Sequence, residues 1–424
     1  MESVTIVGAG VVGHASAVAL RGLGYTGSIT ILGSERHRPY DRPPLGRGFL
    51  TGQTTIGELA LEAPHEDLDA DWRLGVGAVA LDAAAHRVTL ANGRTVDSDA
   101  VVLATGSAAR RLGEPWHGVH TLRTVEDALA LREELLPGAR MVVVGSGVVG
   151  LEVASTAHDL GLQVTVLGST TDSLCTTFGA TVADAVFGLH RRRGITVRTD
   201  LRVAELIGPG WVSGVRLTTG EEIGADVVLL DIGAEPIVGW LAGSGLDLFG
   251  VDPGSADPGP SGSDRPAPDD RGAVLCDTVG ATAVPGVVAV GDCAAWLDPV
   301  SGRHRRIPHW SDTRDRPGIA MAALLGVDPG AALAPITVTS HQAGALVQFA
   351  GRLHGDELLT IEAGSVNTGD LLAVYRRGDL PVAVLGIDQA VQVASWQARL
   401  AATAPTTTPT PAPDEPVRDA SVRG

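Results

Sequence analysis

The chain opens on a nearly unbroken apolar run. Residues 4–8 (VTIVG) lack polar alternation and read as a strand buried on both faces. Apolar positions at helical spacing follow over 11–23, and SITILGSE then predicts a second strand. The opening is therefore a βαβ unit. The same order returns over 141–167, as MVVVG, VVGLEVASTAHDLG and QVTVLG. Apolar runs at 99–105 (DAVVLAT), 226–232 (DVVLLDI) and 286–290 (GVVAV) predict further strands, each ending in a glycine-containing turn: ATG, DIGAEP and GDC. Between about 334 and 400, short alternating runs such as LLAVYRR and PVAVLGI predict a small antiparallel sheet. Residues 251–272, rich in Pro, Gly, Asp and Ser, predict a mobile loop. The Thr/Pro-rich tail from about 401 predicts a solvated segment.

Both βαβ units carry GxGxxG between strand and helix: Gly8, Gly10, Gly13, and then Gly145, Gly147, Gly150. The first glycine permits the tight turn, the second lets a diphosphate approach the backbone, and the third lets helix and strand pack closely. The helix N-terminus then presents free N–H groups to the anion. One such motif is weak evidence, whereas two in the required context are strong. The other reading is a pair of ordinary parallel-sheet units with small turn residues. Ligands of open α/β sheets sit outside the carboxyl ends of the strands, so the three later turns are candidate ligand walls.

Composition narrows the function. At 424 residues the chain predicts two or three domains, and 44% apolar residues suit a globular protein. A net charge of −17 argues against a nucleic-acid or anionic-membrane binder. No apolar run approaches the roughly 18–20 residues that span a bilayer. The first strand starts almost at Met1, leaving no room for a signal peptide, so a cytoplasmic protein is expected. Only Cys175, Cys276 and Cys293 are present, with no close pair, which argues against a dithiol redox centre. Cys293, after Gly291-Asp292, is either near a cofactor or simply a small buried residue. No metal-ligand spacing is present, so no iron–sulfur cluster of its own is expected.

The ordered motifs GAGVVG, HRPYDRPPLGRGFL, VVLATGSAAR, TLRTVEDA, GSGVVGLEVAS, GAEP and VVAVGDCA resemble the FAD-dependent pyridine-nucleotide oxidoreductases. The resemblance is to the ferredoxin-reductase branch that serves cytochrome P450 and aromatic-ring dioxygenase systems. It covers residues 4–330 well and the C-terminal part loosely. It implies an α/β fold with two Rossmann-like units, one for FAD and one for NAD(P), plus a small C-terminal α+β domain. The implied boundaries are 1–110 and 241–330 for the two parts of the FAD unit, 111–240 for the NAD(P) unit, 331–400 for the C-terminal domain and 401–424 for a disordered tail.

For FAD the resemblance implies Gly8, Gly10, Val12 and Gly13 at the diphosphate, and Ser34 or Glu35 at the ribose hydroxyls. Arg42 matches a family arginine, while the family's Ser-Lys is here Gly46-Arg47; Arg47 either lies against the flavin or is a solvated cation. Val79 falls at a backbone contact to adenine or is a plain strand residue. Thr105 and Gly106 approach the cofactor, Arg123 lies near the flavin, Gly291 and Asp292 face its ribityl chain (Asp292 also suits a helix N-cap), and Trp310 sits at the pyrimidine end. For the nicotinamide dinucleotide it implies Gly145, Gly147, Val148, Val149, Gly150, Ser169 and Gly233, with Glu152 orienting the carboxamide.

Several positions depart from the family pattern. Gly168-Ser169-Thr170 replaces the ribose-binding acid, leaving NADH or NADPH open with a tilt to NADPH. Pro308, Asp312 and Arg316 replace the usual Glu, Asn and Gln, and Ile336-Thr337-Val338-Thr339 replaces an aromatic pair over the flavin edge. The implied activity passes hydride from NAD(P)H to FAD, then single electrons to an acidic ferredoxin-type iron–sulfur protein. The alternatives are an FAD enzyme acting directly on a small molecule in specialised metabolism, or a non-enzymatic flavoprotein fold. Docking an acidic partner needs a basic patch, and Arg303-His304-Arg305-Arg306 and Arg191-Arg192-Arg193 are the candidates, a pair of solvated charged loops being the other reading.

Overall fold

The computed structural model describes residues 1–63, 66–113, 116–169, 173–249, 272–299, 302–306, 312–328, 335–353 and 355–403. The strand Ser3–Val7 lies at the centre of a five-stranded parallel sheet. Ser28–Gly33 and then Ala70–Leu74 pair on one side of it, and Ala100–Leu103 and then Val287–Ala289 on the other. Val101 and Val102 are fully buried because both faces of the sheet are covered, which is why these strands read as continuous apolar runs. The helix Val11–Gly22 turns Val12, Ala17 and Leu20 inward and packs against the helix Asp312–Leu324.

A second five-stranded parallel sheet repeats the plan. Its order is Thr196–Arg198, Gln163–Leu167, Arg140–Val144, Val227–Leu230 and Val119–His120. The helix Val148–Asp159 packs on its central strands and also touches the PPLG turn at Pro43–Gly46 and the strand Ile336–Gln342. A short antiparallel ribbon joins the two units: Ser107–Ala109, just past the ATG turn, pairs with Ala234–Pro236, just past the DIG turn.

The C-terminal region forms a five-stranded antiparallel sheet in the order Ile336–Gln342, Ala345–Gly351, Leu380–Ile387, Leu371–Arg377 and Leu358–Gly364. Its strand Leu371–Arg377 is buried on both faces. Leu371, Ala373 and Tyr375 join the core of the second unit, where the Phe349 ring lies 5.2 Å from that of Phe178. Leu372 and Val374 pack on the other side with Val393 and Leu400 of the helix Ala390–Thr403, the helical part of the α+β domain, whose position the residue pattern does not reveal. The mobile loop read over 251–272 lies outside the described residues except at Gly272; of the tail read from 401, residues 401–403 belong instead to the helix Ala390–Thr403, and the rest lies outside the described residues.

Candidate functional site

The two glycine turns open into one cleft of about 2350 Å³. That is several times the roughly 300–1,000 Å³ of a site for one small ligand. The first turn shows why each glycine is needed. Gly8 has φ +122°, and a Cβ there would lie 2.1 Å from the Ala104 carbonyl oxygen. A Cβ on Gly13 would lie 1.8 Å from the Gly8 oxygen, so helix and strand meet only over a bare Cα. Gly10 faces open space, its nearest neighbour being Arg42 Nη2, 3.9 Å from where a Cβ would sit. Gly10 is also the N-cap of Val11–Gly22 and supplies no side-chain acceptor. The first N–H groups of that helix therefore face the cleft with a guanidinium opposite, a slot shaped for an anion.

Side chains around this slot hold one another in place. Glu35 accepts from Arg42 Nη2 at 2.8 Å and from the Tyr40 hydroxyl at 2.5 Å. Burial pushes the Tyr40 phenol well above its usual range, so it remains a donor. Arg42 also donates to the Arg123 carbonyl at 2.5 Å. Asp292 accepts from Arg123 Nη2 at 2.5 Å and from Ser107 Oγ at 2.7 Å. Thr105 Oγ1 donates to the Ile237 carbonyl at 2.7 Å, tying the ATG turn to the second crossing. Ser34, Glu35, Arg42, Thr105, Gly106, Arg123 and Asp292 line the cleft together with Gly8, Gly10 and Val12.

Not every expected residue reaches the cleft wall. Gly13 and Gly291 pack behind it; a Cβ on Gly291 would lie 2.8 Å from a Val12 methyl. Val79 is half exposed, and its neighbour Ala78 is the wall residue. Arg47 is also outside the wall, 3.9 Å from Glu152. Trp310 and Pro308 lie outside the described residues.

On the second side, Gly147, Val148, Val149 and Glu152 line the cleft. Gly145, with φ +104°, presses on the Asp231 carbonyl as Gly8 presses on Ala104. Gly150 packs against the Asp231 side chain, while Ser169 and Gly233 lie away from the wall. Glu152 Oε1 accepts from Ser340 Oγ at 3.1 Å and from the His341 N–H at 2.9 Å, so the C-terminal sheet fixes its orientation.

Wall residues to which the sequence assigns no role include Tyr40, Ser107 and Asp231. Each has a partner from a distant segment, Val125 for Tyr40, Asp292 for Ser107 and Gly150 for Asp231, which no local motif reveals. Arg306 corrects an expectation. It was grouped with a surface docking run, but it is 6% exposed and turns into the cleft, its Nη2 3.4 Å from the Ala234 carbonyl. Arg316 likewise lines the cleft, over the Trp296 ring. Arg191, Arg192 and Arg193 are exposed, and each donates to the protein itself: to Val197, Asn367 and Asp159. Cys293 is fully buried behind the wall, with burial holding its thiol above the usual range.

The donor set fits a flavin dinucleotide on the first side and a second dinucleotide on the other. Comparison with known proteins points the same way. The family model described as pyridine nucleotide-disulphide oxidoreductase matches residues 2–316. The ferredoxin–NAD(+) reductase subunit of the benzene 1,2-dioxygenase system of Pseudomonas putida is 34% identical over 364 residues, 83% of this chain and 81% of that protein. The corresponding component of the biphenyl dioxygenase system of Paraburkholderia xenovorans is 32% identical over 381 residues, 89% of this chain and 87% of that protein. The crystal structure of the covalent putidaredoxin reductase–putidaredoxin complex matches with a TM-score of 0.81 at 27% identity, over 95% of this chain and 93% of that one.

Proposed function

The chain belongs to the pyridine nucleotide-disulphide oxidoreductase family, and from that premise we propose that it is a ferredoxin reductase of the kind that feeds a ring-hydroxylating dioxygenase or a P450. It uses FAD and a nicotinamide dinucleotide. The observation that carries the reading is the pair of glycine turns opening into one cleft. The disulphide half of the family name has no counterpart here. All three cysteines are free, and burial raises the thiols of Cys276 and Cys293.

Bound flavin supplies the chemistry that accepts two electrons together and releases them singly. The chain's residues bind and orient. The helix start after Gly10, with Arg42 opposite, holds the FAD diphosphate, and Glu35 accepts from the adenosine ribose. Asp292, fixed by Arg123 and Ser107, accepts from the ribityl hydroxyls. Glu152, fixed by the C-terminal sheet, orients the nicotinamide amide. No side-chain acid or base is assigned a proton.

We assign NADH as the donor, reversing the tilt that the missing acid suggested. The relatives are named for NAD(+). Arg198, which pairs in register with Leu167 at the strand end, is held by Glu221 through two bonds of 2.6 and 2.8 Å and so is committed away from a 2′-phosphate. Three free cysteines suit the cytoplasm, where we place the protein.

Anaerobic addition of NADH to the yellow protein tests this. We expect rapid bleaching of the flavin band, faster than with NADPH, and recovery of colour when an oxidised ferredoxin of the dioxygenase type is added. An unchanged spectrum with both nicotinamides would overturn the reading.

A further inference from the structure

The two halves of the cleft are built alike, and one residue breaks the likeness. In the first half, Ala104 is the residue after the strand Ala100–Leu103, and its carbonyl oxygen meets Gly8. In the second, Asp231 is the residue after Val227–Leu230, and its carbonyl oxygen meets Gly145, 1.9 Å from where a Cβ would sit. The strand registers agree, with Val7 opposite Leu103 and Val144 opposite Leu230. Ala104 and Asp231 therefore occupy equivalent places beside equivalent turns. Ala104 ends in a methyl group, whereas Asp231 carries a carboxylate.

That carboxylate sits at the start of the helix Val148–Asp159. Its Oδ2 accepts from the Gly150 N–H at 2.9 Å and would lie 2.6 Å from a Cβ on Gly150. Gly147, the N-cap, provides no side-chain acceptor of its own. Asp231 lines the cleft with Gly147, Val148 and Val149. The chain has thus put a negative group of its own within the first turn of the helix whose N–H groups would receive a dinucleotide diphosphate. At the first turn the equivalent place holds the Ala104 methyl group, and Gly10 looks onto open space and Arg42, whose charge is shared with Glu35.

We propose that Asp231 is an intramolecular competitor for the diphosphate at the second glycine turn. It answers part of the helix dipole and repels the incoming phosphates, so the nicotinamide dinucleotide binds weakly and leaves quickly while FAD, at the unopposed turn, stays bound. This rests on reading the second turn as the nicotinamide dinucleotide site.

ADP-ribose, which has the diphosphate and no nicotinamide, is the probe. Its affinity for the FAD-loaded protein is measured by isothermal titration calorimetry for the wild type, Asp231→Ala and Asp231→Asn. The Asn variant keeps an acceptor for the Gly150 N–H while removing the charge, so it decides the matter if the Ala variant does not fold. We expect about tenfold tighter binding in both variants, the scale expected for a carboxylate and a phosphate a few ångströms apart at a half-exposed site. The gap should narrow in high salt. Equal or weaker binding by Asp231→Asn overturns the proposal and leaves the site standing. No ADP-ribose binding by any of the three proteins overturns the proposal and the site assignment together.

Discussion

Asp292 depends on its neighbours. Its side chain is 13% exposed, and its Oδ2 takes a charged donor from Arg123 and a neutral one from Ser107. Arg123→Leu leaves a largely buried carboxylate with the weaker partner. Hydrogen bonds to charged groups contribute about 1.5–3 kcal/mol, so we expect FAD affinity to fall roughly tenfold or more, read by flavin fluorescence on dilution. His190 offers a second test. It is fully buried, 3.0 Å from Gln342 Oε1, and burial lowers its pKa from 6.5 to about 4. The folded protein keeps it neutral, whereas the unfolded chain protonates it near 6.5. Its contribution is therefore fully present above pH 6.5 and is lost as pH falls toward 4, by roughly 3 kcal/mol. A melting-temperature series over that window should be steeper for wild type than for His190→Gln; parallel curves would refute this. Residues such as Gly8 and Gly145 were legible because a tight turn is a local demand. Asp231 and Arg306 were not, because what they face is set by strands far away in sequence.

Helices and strands differ in how far their patterns speak. Both glycine-turn helices were readable, since apolar spacing and the preceding glycines agree. The strand Leu371–Arg377 was read as part of a sheet, but its run of five buried residues reflects two covered faces. One cover is the helix Ala390–Thr403, whose sequence AVQVASWQARLAAT runs straight into the Thr/Pro tail and passed unread. Two glycines test the packing of the first helix. A Cβ on Gly13 would meet the Gly8 oxygen at 1.8 Å, while one on Gly22 would meet nothing within 4 Å. Helix propensity favours alanine over glycine by up to about 1 kcal/mol in an interior. Gly22→Ala should therefore raise the melting temperature slightly. Gly13→Ala should lower it, by the equivalent of about 1–3 kcal/mol for an overpacked contact, and shed flavin on desalting. Equal melting temperatures would show that the close helix–strand contact is not required.

At the scale of the whole molecule, charge governs the encounter with the proposed partner. The chain carries a net −17, and an acidic ferredoxin is repelled at long range. Several cations of the two expected basic patches are already engaged within the fold. Arg306 is turned into the cleft, and Arg191 to Arg193 already donate to the protein's own groups. Of the expected patches, the strand Arg303–Arg305 keeps Arg303 exposed, while His304 and Arg305 are half-buried and Arg305 also lines the cleft. Local attraction from such a patch acts over a few ångströms, whereas the net repulsion reaches across the screening length. That length is about 30 Å at 0.01 M salt and about 10 Å at 0.1 M, so modest salt removes repulsion before it removes attraction. The rate of ferredoxin reduction under kcat/KM conditions should then rise severalfold between those two concentrations and fall only above them. Arg303→Gln should lower it throughout without altering flavin bleaching by NADH, since Arg303 lies outside the cleft wall. A wild-type rate that declines steadily from 0.01 M upward would mean that local attraction already outweighs the net charge at long range, and that the docking face is more basic than this strand alone.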